Sequence, residues 1–157
     1  MTSFLVKSAC NGHCPNHLVS RRHYPRPDLI ARLLRERHVS RFLVAPEGFG
    51  RSVLAMEYAQ VVFSFEHTFW VNGRSPCFLR DLDRGIVASE LFNLDDKPFL
   101  VVFDDIPPLD AARAELFSSS LDSLLARECE VLVCCAPSCD AFAALQHDRL
   151  RLSATDL

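Results

Sequence analysis

The sequence has no apolar stretch approaching the ~20 residues that a membrane-spanning helix requires, so no bilayer-crossing helix and no membrane partner are expected. Its first residues lack the basic, apolar and small-residue order of a secretory leader. A cytoplasmic location is the resulting expectation. Neither charge sign is in excess, with 17 Lys and Arg against 20 Asp and Glu and a net charge of -3. That balance gives no extended nucleic-acid footprint. Together with 49% apolar content it also excludes a disordered chain. There is no tandem repeat, no low-complexity tract and no G-x-S-x-G elbow, which removes a hydrolase-type nucleophile.

What is present fits one domain, since 157 residues suffice for a single sizeable core. Seven cysteines cannot all pair within one chain. Cys134 and Cys135 are adjacent in an apolar run, where neighbouring side chains of a strand point to opposite faces. They read as small buried hydrophobes, and reduced thiols are expected.

Residues 1–27 read as an irregular arm with Pro15, Pro25, Pro27 and Gly12, in which Phe4-Leu5-Val6 alone has strand character. Residues 28–157 form the domain. Asp28 is placed to cap a helix to about His38, with Leu29, Ile30, Leu33 and Leu34 on one face. Apolar runs at Phe42–Ala45, Thr68–Val71, Phe99–Phe103, Val131–Cys135 and Leu150–Leu152 read as strands. Arg51–Val62, Cys77–Phe92, Asp110–Arg127 and Cys139–Gln146 read as helices. In the second helix Leu54, Tyr58, Val61 and Val62 are roughly in phase. Strands alternating with helices predict an α/β fold with a mostly parallel five-stranded sheet covered on both faces. Ligands of such sheets bind beyond the carboxyl ends of the strands, where both Ala45–Gly50 and Asp104-Asp105 fall.

The segment Ala45-Pro46-Glu47-Gly48-Phe49-Gly50-Arg51-Ser52 follows a strand and opens a helix. A phosphate-binding loop, G-x-x-x-x-G-K-[ST], has that setting. Its chemistry needs inward amides, a helix N-terminus facing negative charge, a cation on the phosphates and a hydroxyl on magnesium. Gly48, Phe49, Gly50, Arg51, Ser52 and Val53 are therefore the candidate nucleotide-binding residues, with Arg51 where lysine is usual. Arginine keeps the charge on a planar, bulkier fork, and Glu47 adds a negative charge beside the loop. Ser52 and Asp104 are the candidate Mg²⁺ ligands. Asp105 is the candidate catalytic group that orients an attacking water. A purely structural Gly-rich turn is the competing reading.

The run from Pro27 through Tyr58 resembles the start of the nucleotide-binding domain of large signal-transducing ATPases, the maltose-activator-like, LuxR-type transcriptional regulators. The shared features are the proline-arginine approach, a short Leu- and Arg-rich helix, and the stretch Leu43-Val44-Ala45-Pro46-Glu47-Gly48-Phe49-Gly50-Arg51-Ser52-Val53-Leu54. Phe69-Trp70-Val71, Val101-Val102-Phe103-Asp104-Asp105 and Val131–Ala136 resemble its later strands. The resemblance implies a three-layer P-loop NTPase-like core that binds ATP with Mg²⁺, and a signalling or transcriptional role. It also implies an oligomerising switch, with a homo-oligomer or another protein as partner. DNA binding would belong to further domains absent from this chain, as would the lid expected after Leu157. Ala136-Pro137 stand where relatives carry a phosphate-sensing arginine, and with Arg51 this implies weak or absent hydrolysis. The alternative is a degenerate NTPase-like protein-interaction module that binds no nucleotide.

Three further groupings carry chemistry. Cys10, His13, Cys14 and His17 have zinc-ligand character at short spacing, set against an unstructured arm. Arg21, Arg22, Arg26, Arg32, Arg35, Arg37 and Arg41 form a basic cluster read as a solvated helix face. His67 and His147 have no catalytic company.

Overall fold

The computed structural model describes residues 11–12, 25–63, 67–85, 100–139 and 149–157. Its strands are β1 (Asn11–Gly12), β2 (Ser40–Val44), β3 (Thr68–Asn72), β4 (Leu100–Ile106), β5 (Glu130–Cys135) and β6 (Arg149–Ser153). Its helices are α1 (Pro27–Arg35), α2 (Arg51–Val62), α3 (Phe78–Asp83) and α4 (Ala111–Ala126). The sheet order is β1-β3-β4-β5-β2-β6. Strands β2 to β6 are parallel to their neighbours, and the short β1 pairs antiparallel with β3. The result is an α/β fold with a five-stranded parallel sheet flanked by helices.

Parallel strands covered on both faces read as continuous apolar runs, and the alternation along each strand shows where each residue goes. Val101, Phe103, Val131, Val133 and Cys135 join one core with Phe78 and Leu82 of α3 and Phe117, Leu121 and Leu124 of α4. Leu100, Val102, Leu132 and Cys134 join the other with Leu29, Ile30 and Leu33 of α1 and Leu54, Ala55 and Tyr58 of α2. Cys134 and Cys135 thus point to opposite faces as expected, both buried and neither in a disulfide. Cys77 is disulfide-bonded, which corrects the expectation of reduced cysteines throughout.

Several local expectations shift. Arg26, not Asp28, occupies the N-cap of α1, and no side chain caps that helix. Pro27 sits at the first helical position, where its missing N–H is not needed and its fixed φ suits the helix. Leu34 and Val61 face outward, Val61 being 67% exposed. At α4, Asp110 does cap, its carboxylate accepting from the Arg113 amide at 2.8 Å. β4 runs past Asp104 to Ile106, with a register irregularity between Phe103 and Ile106. Phe4–Val6, Ile86–Phe99 and most of Cys139–Gln146 lie outside the described residues. Among the described residues no helix is long and apolar enough to cross a membrane.

Because β5 lies between β4 and β2, the ends of β2 and β4 both open on the carboxyl edge of the sheet. The β2–α2 loop faces the end of β4 there.

Candidate functional site

The β2–α2 loop is anchored at its base by the Ala45 amide, which donates to the Cys135 carbonyl at 3.2 Å. It then turns through Gly48 and Gly50 at φ 87° and 79°, values that favour glycine. Gly50 is the N-cap of α2, and no side chain caps that helix. The Arg26 guanidinium lies directly over Gly50, where a Cβ would sit 2.3 Å from Arg26 Nη2. Arg26 also donates through Nη1 to the Leu157 carbonyl at 3.2 Å, and through its backbone amide to Glu57 Oε1 at 2.9 Å. Phe49, at the crest of the loop, is 45% exposed.

Asp104 and Asp105 approach the loop from β4. Asp105 takes φ 52°, a left-handed conformation that Asp tolerates better than most residues. The irregularity in β4 re-aims its carboxylate, a common use of a strand bulge. Gly73, just after β3, is required here. Its amide donates to the Asp104 carbonyl at 2.7 Å, and a Cβ would lie 2.5 Å from the Asp105 carbonyl oxygen.

The polar side chains engage one another across this junction. Ser52 Oγ donates to Asp104 Oδ1 at 2.7 Å. Arg51 Nη2 donates to Asp105 Oδ1 at 3.1 Å. Arg74 Nε pairs with Asp105 Oδ2 at 3.1 Å and its Nη2 with Glu47 Oε1 at 3.2 Å. Arg51 is 7% exposed, and its Nη1 has no hydrogen-bond partner. Burial raises the Asp104 carboxyl from its ordinary value, against the opposing effect of the Ser52 hydroxyl. The bond to Glu47 and the nearby Asp105 raise Arg74 further. Together with Gly48, Gly50 and Val53, these groups line a cavity of about 350 Å³.

The structure therefore brings Gly48, Gly50, Arg51, Ser52, Val53, Asp104 and Asp105 together around one cavity and leaves Phe49 on its outer crest. Arg74 is an addition that sequence reading did not reach, and Arg26, read there only as part of the basic cluster, lies over the loop. Asn72-Gly73 marks the turn that presents Arg74, and Asn72 Oδ1 accepts from the Arg74 amide at 3.0 Å. Nothing in the sequence pairs that turn with Glu47.

The residues expected to meet magnesium and phosphate face one another in this arrangement. Magnesium wants a near-octahedral set of oxygens from ionised carboxylates, hydroxyls and water. Here the Ser52 hydroxyl donates to Asp104, whose pKa burial raises. Among the described residues no three His, Cys, Asp or Glu side chains converge as a metal set. Arg51 pairs with Asp105 across the junction.

A second polar cluster sits at the opposite end of the sheet. Arg41 is fully buried, donating through Nη1 to the Leu33 carbonyl and the Tyr58 hydroxyl, both at 2.8 Å. Its guanidinium lies 4.8 Å from the Tyr58 ring centroid. Glu130 balances the charge, with Oε2 at 3.9 Å from Arg41 Nη2 and a hydrogen bond from Arg37 Nε. Arg32 pairs with Asp156. Within the basic cluster Arg35 and Arg37 are exposed as expected, whereas Arg41 is buried, which corrects the solvated-face reading for that residue alone. Arg21 and Arg22, the Cys10–His17 grouping and His147 lie outside the described residues.

Neither a family model nor a curated protein matches the chain. Among solved structures it is similar to C. elegans PCH-2, at 15% identity and a TM-score of 0.49, over 80% of this chain and 39% of that one. It is also similar to a chain of the E. coli MS115-1 HORMA:CdnC:Trip13 complex, at 20% identity and a TM-score of 0.43, over 82% of this chain and 54% of that one. The chain spans about two fifths and about half of the length of these two structures. The expected membership of the LuxR-type, maltose-activator-like regulators is corrected: no family model and no curated protein matches the chain. The main expectation built on it, an ATP-binding core of a signalling or transcriptional regulator, is withdrawn with it.

Proposed function

We propose that this chain is a protein-interaction module that keeps an NTPase-like α/β frame and binds no nucleotide. One observation carries the reading: the groups that would hold phosphate and magnesium are engaged with each other, Arg51 with Asp105 and Ser52 with Asp104. Seating a triphosphate there requires breaking a largely buried ion pair and a hydroxyl–carboxyl bond, and leaving three carboxyl groups beside the added negative charge. The NTPase-like frame is supported by the order strand, glycine turn, helix, followed by paired aspartates on β4.

The test is thermal melting and calorimetry of the whole chain with Mg²⁺ and ATP or ADP at millimolar concentration. A working site with a dissociation constant one hundredth of the ligand concentration would add about 2.7 kcal/mol to stability. The expected result is no change in melting and no binding heat. Saturable Mg²⁺-dependent binding, lost in Ser52→Ala, would sink the reading.

A further inference from the structure

We infer that Asn72-Gly73 is a modification site, where the chain closes a succinimide and loses ammonia, and that the end of β4 holds this reaction off. The inference stands apart from the interaction-module reading. The sequence has two Asn-Gly pairs, and this one ends β3 beside Arg74 and Asp104 of the cavity lining.

The reaction needs only the chain and water. The backbone nitrogen of Gly73 sheds its proton and attacks the side-chain carbonyl carbon, Cγ, of Asn72. A five-membered imide closes, and the side-chain nitrogen of Asn72 leaves as ammonia. Water then opens the ring at either carbonyl, leaving aspartate or isoaspartate at position 72. Glycine favours the attack because it has no Cβ to crowd the approaching backbone.

The two reacting groups are in opposite states. The electrophile is primed: Asn72 is exposed, and its Oδ1 accepts from the Arg74 amide at 3.0 Å. A donor at that oxygen stabilises the negative charge that develops there on attack, as an oxyanion hole does. The nucleophile is masked: Gly73 is buried, and its amide donates to the Asp104 carbonyl at 2.7 Å. While that bond lasts the nitrogen keeps its proton and does not attack.

The mask depends on where β4 ends. Asn72 and Asp104 are register partners. The next residue, Asp105, turns left-handed and is tied to Arg51 Nη2 and Arg74 Nε, both at 3.1 Å. These ion pairs hold the segment whose carbonyl covers the Gly73 amide. Modification therefore advances only while this edge is locally open. Its product sets a fourth carboxylate beside Glu47, Asp104 and Asp105. The isoaspartate form also adds a backbone carbon before Gly73, so the amide no longer meets the Asp104 carbonyl in the same register.

The test ages the full chain at mildly alkaline pH and body temperature, folded or unfolded in guanidinium. Peptide mass spectrometry follows conversion at position 72, with chromatography to separate aspartate from isoaspartate. The unfolded chain is expected to convert, and the folded chain at least about tenfold more slowly. Asp105→Asn keeps a residue that tolerates the left-handed backbone and removes both ion pairs. It is expected to convert several-fold faster than the parent when folded, with its melting midpoint still above the incubation temperature. Asn72→Gln, whose ring would be one atom larger, is expected not to convert.

An unfolded chain that leaves Asn72 intact overturns the site. Equal rates in the folded and unfolded chain overturn the mask. An unchanged rate in folded Asp105→Asn overturns the end of β4 as its support. If that variant does not fold, hydrogen exchange at Gly73 in the parent decides: slow exchange supports the mask, and exchange as fast as in the unfolded chain overturns it.

Discussion

Asp104 shows what burial does to one carboxyl. It is removed from water at the end of β4 and accepts from Ser52 Oγ, and desolvation outweighs that bond, so its pKa is raised. A carboxyl whose folded pKa lies above its unfolded value favours folding in its protonated form. That contribution is complete below the ordinary carboxylate range and is lost as pH rises through the raised value. Asp104→Asn keeps an acceptor for Ser52 and removes the charge. It is expected to be more stable than the parent at pH 7, with the difference shrinking toward pH 4. Urea denaturation at a series of pH values checks this, and a variant less stable than the parent at pH 7 would count against it. The same scale explains what sequence reading missed. Arg74 follows an ordinary Asn-Gly turn, and its role depends on Glu47 and Asp105, which lie 27 and 31 positions away.

At the scale of elements, the turn after β6 is fastened to α1. Asp156 accepts from Arg32 Nη1 at 2.6 Å, from the Ser153 amide at 2.8 Å and from Ser153 Oγ at 3.0 Å. These bonds lower its pKa from 3.8 to about 2. A depressed carboxyl contributes stability above its unfolded pKa and loses it as pH falls through the folded value. Asp156→Asn is therefore expected to melt lower than the parent at pH 5, with the two curves converging by about pH 2. The pair is partly exposed, so the loss should stay below about 1 kcal/mol and shrink in high salt. Equal melting temperatures at pH 5 would refute it. Most elements were legible because apolar runs and 3.6-residue periodicity are local signals. β2, α2, α4 and β5 fall within a residue or two of expectation. The outward turn of Val61 and Leu34 was not legible, since phase alone does not say how wide a buried face is. Nor was β1, a two-residue strand that exists only because β3 offers an edge.

At the scale of the whole molecule, the buried polar cluster joins α1, β2, α2 and β5 through Arg41, Tyr58 and Glu130. A buried guanidinium stripped of its counter-charge is costly, so Glu130→Ala is expected to lose about 3–5 kcal/mol. In a two-state chain the denaturant midpoint falls and the slope is retained. A loss under about 1 kcal/mol would show that Tyr58 and the Leu33 carbonyl suffice for Arg41. The cavity at the other end of the sheet is as much a product of chain topology. Its lining comes from the loop after β2, the turn after β3 and the end of β4, three segments joined by parallel crossovers.

The amino-acid sequence by itself determined the alternation of strands and helices, the doubly covered parallel sheet, the opposite facing of Cys134 and Cys135, and the meeting of a glycine loop with Asp104 and Asp105. These follow from local periodicity and from the rule that such sheets gather their loops at one edge. Only the tertiary structure decided whether the loop's charges were left open or engaged. A phosphate-loop pattern specifies residue types along the chain. Whether Arg51 faces a ligand or Asp105 depends on a left-handed residue in another strand and on a glycine that lets β4 approach the turn after β3. Long-range packing sets both.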